Sequence, residues 1–175
     1  MAVAKQRMTV PVFVDTNVLL YARDASEPAK QRLAGAWLEH LWRHRLGRTS
    51  TQVLSEYYVN LTRKLDPGLP AEDAWDDVTA LMAWNPRPVD RALLVRGRAI
   101  ESRYRLSWWD SLIVAAAQME ECAVLLTEDL QDGAAFDGVT VRSPFTLSAA
   151  EPRAGYALAP PVSRHRPRGR TRQPG

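Results

Sequence analysis

Short apolar runs alternate along the chain with longer segments whose apolar residues recur at helical spacing. Residues 10–14, 124–127 and 139–141 are short and rich in branched side chains, and polar or turn-forming residues follow them, so they predict buried strands. Strands this apolar, separated by helices, indicate a parallel sheet that is covered on both faces. We therefore predict an α/β fold with a central parallel sheet.

The helical segments are bounded by capping and turn-forming residues. Ser26 is the expected cap of a helix that Gly47 ends, and Asp15 precedes a short helix that begins near Val18. The remaining predicted helices cover residues 51–65, 71–83, 90–104 and 108–119. The last of these is apolar nearly all round at its centre, which predicts a buried helix.

The positive charge of the chain is concentrated at one end. The 175 residues carry a formal net charge of +3, yet the segment after Glu151 has six arginines and no acidic residue. Without those arginines, 17 Lys and Arg stand against 20 Asp and Glu. We expect one acidic domain over residues 1–148 and an Arg- and Pro-rich disordered tail over residues 149–175.

Several classes of protein lack support in this sequence. No run of about 18 apolar residues offers a membrane span, and the first nine residues lack the apolar centre of a secretory signal, so we expect a cytoplasmic protein that does not bind membranes. Cys122 is the only cysteine, which excludes an internal disulfide. The glycine-rich motifs of dinucleotide and P-loop proteins are absent. His40 and His44 have no cysteine or helix-borne glutamate partner, so zinc is not expected.

Four acidic residues lie at the ends of apolar segments, namely Asp15, Glu56, Asp110 and Asp129. Asp15 and Asp129 follow predicted strands, and Asp110 opens the helix that leads into the second of those strands. Ligands of open parallel sheets bind beyond the carboxyl ends of the strands, so three of these acids are expected on one edge. Carboxylates gathered in a partly desolvated cleft repel one another unless a cation joins them. Oxygen ligands without His or Cys favour Mg²⁺ or Mn²⁺.

Each acid also has an ordinary structural interpretation. Asp15 can cap the helix that follows it, and Glu56 can face water on its own helix. Asp110 can form a capping box with Ser107, and Asp129 can be a polar loop residue. For each residue taken alone, the sequence leaves both interpretations open.

The segments around these acids resemble the four sequence blocks of the PIN-domain family. They are residues 13–21 (FVDTNVLLY), 51–58 (TQVLSEYY), 107–117 (SWWDSLIVAAA) and 126–130 (LTEDL). The resemblance extends over about residues 10 to 145, and within the family it is greatest to VapC-type toxins of toxin–antitoxin pairs. It implies a Rossmann-like three-layer α/β/α domain and a metal-dependent endoribonuclease. It also implies a homodimer and a cognate antitoxin that occludes the site.

The resemblance also assigns roles to individual residues. The catalytic and metal-binding acids of the family fall on Asp15, Glu56, Asp110 and Asp129. Asn17 and Thr127 fall on supporting polar positions, and Asp132 resembles a further acid of some members. The implied reaction is hydrolysis of RNA by a water molecule that Mg²⁺ or Mn²⁺ activates, leaving a 5′-phosphate and a 3′-hydroxyl.

Basic and aromatic residues near Asp110 are candidates for RNA contacts. The candidate phosphate-binding residues are Arg91, Arg96, Arg98, Arg103 and Arg105, for which a solvated helix face is the alternative. Trp108 and Trp109 precede Asp110, and we favour core packing over stacking on an unpaired base. The basic tail either adds affinity for RNA or the antitoxin, or is an inert extension.

Two other functions remain in view. An aspartyl phosphatase also uses an aspartate at a strand end, but Asn17 occupies the position of its second aspartate. A catalytically silent PIN module that binds RNA or protein would share the fold, although the presence of all four acids favours an enzyme. A measurement of metal binding separates the silent module from the metal-dependent enzyme.

Overall fold

The central sheet has five strands within the described residues. The structure, a computed structural model, describes residues 10–146. The predicted tail and the predicted boundary between residues 148 and 149 therefore lie outside the described residues. The strands of the sheet are β1 (Val12–Val14), β2 (Gly47–Arg48), β3 (Val124–Leu126), β4 (Ala135–Phe136) and β5 (Val139–Arg142). Their order is β2-β1-β3-β5-β4, with only the β4–β5 pair antiparallel. The predicted parallel sheet is therefore confirmed.

Helices cover both faces of this sheet and complete a three-layer α/β/α fold. They are α1 (Thr16–Tyr21), α2 (Pro28–His44), α3 (Thr51–Arg63), α4 (Ala71–Leu81), α5 (Arg91–Tyr104) and α6 (Trp108–Met119), and a 3₁₀ turn (Met82–Trp84) follows α4. α1 packs against α2 and α3, while α5 packs against α6, which contacts β3 and β5. No helix within residues 10–146 is both long enough and apolar enough to cross a membrane.

The predicted caps are correct in part. Asp15 caps α1, which begins at Thr16, two residues before the predicted start. The prediction for Ser26 is wrong, because Glu27 precedes α2 without a side-chain cap, and Ser26 instead donates to the Asp24 carboxylate from its backbone N–H and its hydroxyl. The Ser26 hydroxyl is therefore bonded to Asp24 and does not cap α2.

Gly47 does not end α2 as predicted. Arg45 ends that helix in a left-handed conformation, and Gly47 pairs with Val12 in β2. A Cβ atom at Gly47 would lie 2.4 Å from the Trp84 ring, so the close approach of the 3₁₀ turn requires glycine. β2 and β4 were not predicted from the sequence, and a two-residue turn at Asp137 and Gly138 connects β4 to β5.

The buried core places the first turn of α6 beside the sheet. β1 and β3 are fully buried, as are residues 111–117 of α6. α5 approaches α6 at Gly97, where an added Cβ would lie 2.7 Å from Cδ2 of Leu112 and 3.6 Å from the Trp108 ring. This contact fixes the helix that carries Asp110.

Candidate active site

All four predicted acids line one cavity of about 750 Å³. Asp15 follows β1, Asp129 follows β3, Glu56 lies on α3, and Asp110 lies in the first turn of α6. The structure therefore brings the four acids to one cavity at the edge where β1 and β3 end, a position that the sequence predicted for Asp15, Asp110 and Asp129.

Asp15 is the buried acid of this group, with 7% of its surface exposed. Its Oδ1 accepts a hydrogen bond of 2.7 Å from the Thr16 backbone N–H, which is the helix cap. Its Oδ2 accepts one of 2.8 Å from the Thr127 hydroxyl. Burial raises the pKa of Asp15 from 3.8 to about 7, and the charges of Asp129 and Glu56 add to this effect, while the two hydrogen bonds oppose it. A positive charge beside Asp15 would therefore stabilise its ionised form.

Thr127 and Asn17 connect Asp15 to Asp129. The Thr127 hydroxyl accepts hydrogen bonds of 3.0 Å from the Asn17 amide and 3.0 Å from the Asp129 backbone N–H. The Asn17 amide also donates to Asp129 Oδ2 at 3.0 Å, and its oxygen accepts from the Glu128 N–H at 3.3 Å. Thr127 uses its one donor and both acceptor positions in this network. The two polar residues that the resemblance assigned as supporting positions thus join the ends of β1 and β3.

Glu56 is exposed, yet both of its carboxylate oxygens are held. Oε2 accepts from the Thr16 hydroxyl at 3.2 Å, and Oε1 accepts from the Gln52 amide at 3.1 Å. Sequence reasoning missed Thr16 and Gln52 as supporting residues. The available signals were the position of Thr16 next to Asp15 and the four-residue spacing between Gln52 and Glu56.

Asp110 takes part in the cap of α6 and also lines the cavity. The Ser107 hydroxyl accepts a 3.1 Å hydrogen bond from the Asp110 N–H and donates one of 2.8 Å to Asp110 Oδ2. The predicted capping interaction is confirmed, and Asp110 also lines the cavity. One side of the carboxylate is therefore tethered to the helix start.

Asp132 does not line the cavity. Its carboxylate accepts hydrogen bonds of 2.9 Å from the Ser143 N–H and 3.2 Å from the Thr146 hydroxyl, and it lies 3.4 Å from Arg142 Nε. In this structure Asp132 orders the segment that follows β5.

The predicted RNA-binding arginines do not line the cavity either. Arg96 donates to Gln118 at 2.8 Å, Arg98 contacts Glu101 and Ser102, and Arg103 pairs with Asp137 at 3.2 Å. None of these three arginines lines the cavity, and the same holds for Arg91 and for the exposed Arg105. The basic residue that lines it within residues 10–146 is Lys64, which follows α3. The role of the five arginines in binding RNA stays a prediction.

The two tryptophans before Asp110 have different environments. Trp108 is half-buried and packs against the core, as predicted. Trp109 is 62% exposed and lines the cavity, so the prediction of core packing is wrong for this residue. Consecutive helical residues point about 100° apart, and at the exposed start of α6 one of the two side chains faces the core while the other faces the cavity.

The chemistry of the site fits a hard divalent cation. Within residues 10–146, no three His, Cys, Asp or Glu side chains already lie close enough together to hold a metal ion. The cavity nevertheless supplies carboxylate oxygens from four residues and neither His nor Cys. Mg²⁺ keeps several water ligands and commonly uses one or two carboxylates, so it does not require a preformed cluster of three. Burial raises the pKa of Asp15, and a cation bound beside it would favour the charged form.

Comparison with known proteins agrees with this arrangement. Residues 12–133 match the PIN domain. A solved structure of a toxin–antitoxin complex from Klebsiella pneumoniae is similar, with a TM-score of 0.50 and 20% sequence identity over 76% of this chain and 97% of that chain. At this identity the similarity concerns the fold alone. No curated protein sequence matches the chain. The family match covers most of the chain, and the protein therefore belongs to the PIN-domain family.

Proposed function

We propose that this protein is a Mg²⁺- or Mn²⁺-dependent endoribonuclease. The observation that carries the proposal is the common cavity lined by Asp15, Glu56, Asp110 and Asp129 at the edge of the sheet. Membership of the PIN-domain family supports nuclease activity, because PIN domains are generally nucleases. RNA is the substrate that we propose.

The four acids would hold the cation. A divalent ion bound there lowers the pKa of a water molecule and neutralises charge that develops on the scissile phosphate. Thr16 and Thr127 orient the Asp15 carboxylate, and Thr16 and Gln52 orient Glu56. Side chains held in this way lose little conformational entropy when a ligand binds, which favours catalysis.

The protonation of Asp15 would control metal affinity. With a pKa of about 7, a substantial fraction of Asp15 is protonated at neutral pH when no cation is bound. Carboxylate ligands must be deprotonated to bind a metal, so metal affinity should rise with pH through this range.

We further propose that the protein is the toxin of a toxin–antitoxin pair. The similar fold of a chain from a Klebsiella pneumoniae toxin–antitoxin complex supports this assignment. A cytoplasmic homodimer and an antitoxin that covers the acidic cavity complete the proposal. Co-expression with the product of a small adjacent reading frame should give a complex without RNA cleavage, and cleavage by that complex would contradict it.

The function is tested by incubating the purified protein with total RNA and mapping the ends of the products. We expect cleavage with Mg²⁺ or Mn²⁺, none with EDTA, and none with Asp15→Asn. Asp132→Asn is the matched control, because Asp132 is an acid outside the cavity, and it should cleave RNA as the wild type does. Full activity in Asp15→Asn would refute the assignment of the acids.

A catalytically silent PIN module that binds RNA or protein is the second candidate. Residues 10–146 contain no ready-made cluster of three metal ligands, and this observation favours it. Calorimetric titration with Mn²⁺ distinguishes the two. Binding that Asp15→Asn abolishes supports the enzyme, whereas no binding at millimolar Mn²⁺ supports the silent module.

A further inference from the structure

Trp109 is exposed at the rim of the acidic cavity. The cavity is lined by both Trp109 and Asp110, which are neighbours in the first turn of α6. With 62% of its surface accessible, the Trp109 indole contributes little to the core, whereas the adjacent Trp108 packs there. A large aromatic ring beside a cluster of carboxylates is poorly explained by folding alone.

Two other tryptophans are also substantially exposed, but each of them contacts another aromatic ring. Trp42 is 40% exposed but packs against Trp84 with ring centroids 5.0 Å apart. Trp75 is 52% exposed and makes an edge contact with Tyr58 at 6.1 Å. Within residues 10–146, Trp109 has no such ring contact and no hydrogen bond. Among the described residues, therefore, no other ring occupies the π face of Trp109, which can contact a ligand.

The cavity that Trp109 lines also has apolar residues and a positive charge in its lining. Val59 on α3 and Val89 before α5 line it and are 44% and 42% exposed. Lys64 lies eight residues after Glu56, about 12 Å further along the axis at the helical rise of 1.5 Å per residue, and it lines the cavity too. Acidic, apolar and cationic residues in one cavity match a short stretch of RNA whose scissile phosphate meets a cation at the acids while a phosphate further along the strand meets Lys64.

We propose that Trp109 stacks on an unpaired base next to the scissile phosphate and thereby selects where the RNA is cut. This inference rests on the proposed ribonuclease function and adds a specificity-determining residue to it. Stacking on aromatic side chains requires a base that is free of a duplex, so the substrate class is single-stranded RNA or the loop of a hairpin.

Binding is measured first, by fluorescence anisotropy of a labelled single-stranded RNA of mixed sequence in buffer with EDTA. Trp109→Ala should weaken binding by about 5-fold or more, because aromatic stacking on a base commonly has an effect of this size. Trp109→Phe should restore most of the affinity, and Trp109→Leu, which is apolar without a π face, should not. Trp75→Ala is the matched control, since it removes an exposed tryptophan outside the cavity, and it should bind as the wild type does.

Cleavage specificity is measured second, on an RNA pool with a randomised segment in the presence of Mg²⁺. The wild type should prefer certain bases at one position beside the cut, and Trp109→Ala should lose that preference while keeping metal binding. An abasic nucleotide at that position should weaken wild-type binding as much as Trp109→Ala does. The two changes together should have little further effect, since residues in contact are not additive.

The outcomes separate the two proposals. If the wild type cleaves no RNA, the ribonuclease assignment fails, and the EDTA binding measurement still decides the role of Trp109. Equal RNA affinity in wild type and Trp109→Ala overturns the stacking proposal. If RNA affinity is unchanged and Trp109→Ala also loses self-association in sedimentation or loses binding to the antitoxin, the surface around Trp109 belongs to a protein partner.

Discussion

The Thr127 hydroxyl donates a hydrogen bond of 2.8 Å to Asp15 Oδ2 and so joins the residues that follow β1 and β3. This bond lowers the pKa of Asp15, whereas burial raises it. Thr127 thus partly offsets the desolvation that would otherwise hold Asp15 in its neutral form.

Replacing Thr127 by valine should impair both stability and activity at neutral pH. The change leaves the Asn17 amide and the Asp129 N–H without their shared acceptor and raises the pKa of Asp15 further. We expect a loss of about 1–3 kcal/mol in the free energy of unfolding. The pH–rate profile for RNA cleavage should move to higher pH. Thr127→Ser, which keeps the hydroxyl, should restore the wild-type profile, and a shifted profile in the serine variant would contradict this account.

The stability of the metal-free protein should fall as pH rises from about 4 to about 7. Asp15 has a higher pKa in the folded state than its ordinary value of 3.8, so the folded state binds more protons in this range. Stability therefore decreases with pH up to the folded pKa and is then constant, for a total of a few kcal/mol at most. Thermal melting in EDTA at several pH values measures this effect.

Asp15→Asn supplies the control for that titration, because its side chain is neutral at every pH. Its melting temperature should depend less on pH between 4 and 7 than that of the wild type. Millimolar Mn²⁺ should raise the melting temperature of the wild type at pH 7 by linkage and leave Asp15→Asn nearly unchanged. Identical pH profiles for both proteins would show that Asp15 is not the titrating group.

Gln52→Leu should separate activity from stability. The Gln52 amide nitrogen donates to Glu56, while its buried oxygen has no hydrogen-bond partner among residues 10–146. Leucine removes that unsatisfied oxygen, so the free energy of unfolding should be unchanged or slightly higher. Cleavage should fall about 10-fold if Glu56 needs this contact, by analogy with the usual cost of losing a residue that orients a metal ligand. Unchanged cleavage in a stable variant would remove Gln52 from the site.

Gly97→Ala should weaken the contact between α5 and α6. The added methyl group would lie 2.7 Å from Leu112 Cδ2, and Leu112 is buried, so we expect a loss of about 1–3 kcal/mol from overpacking. The displaced helix carries Asp110, and metal affinity should fall as well. Gly35→Ala is the matched control, because its Cβ would meet no atom within 4 Å in α2. That variant should gain about 0.5–1 kcal/mol from helix propensity.

The sequence revealed the elements whose signal is local. The strands at 12–14, 124–126 and 139–142 carry a continuous apolar pattern, and the acids beside them were predictable from the rule that sites form at strand ends. β2 and β4 have two residues each, which is too short for any periodicity to appear.

The remaining errors concern directions in space. Sequence does not give the phase of a helix at its first turn, so Trp109 was expected in the core and instead faces the cavity. The candidate RNA-binding arginines are close to Asp110 along the chain but do not line the cavity, and their contact with RNA stays a prediction. Thr16 and Gln52 became evident only from hydrogen bonds that cross between elements or link helical turns.

The double use of Asp15 has a practical consequence for anyone who needs an inactive protein. One carboxylate oxygen closes the start of α1 and the other holds Thr127, so alanine at this position would remove the charge and both hydrogen-bond acceptors together. Loss of the cap alone costs about 0.5–2 kcal/mol. Asparagine keeps an oxygen for the Thr16 N–H. If the proposed function is correct, Asp15→Asn is therefore the variant with which to trap an intact RNA or to purify the protein without an antitoxin, and a failed alanine variant would say nothing about catalysis.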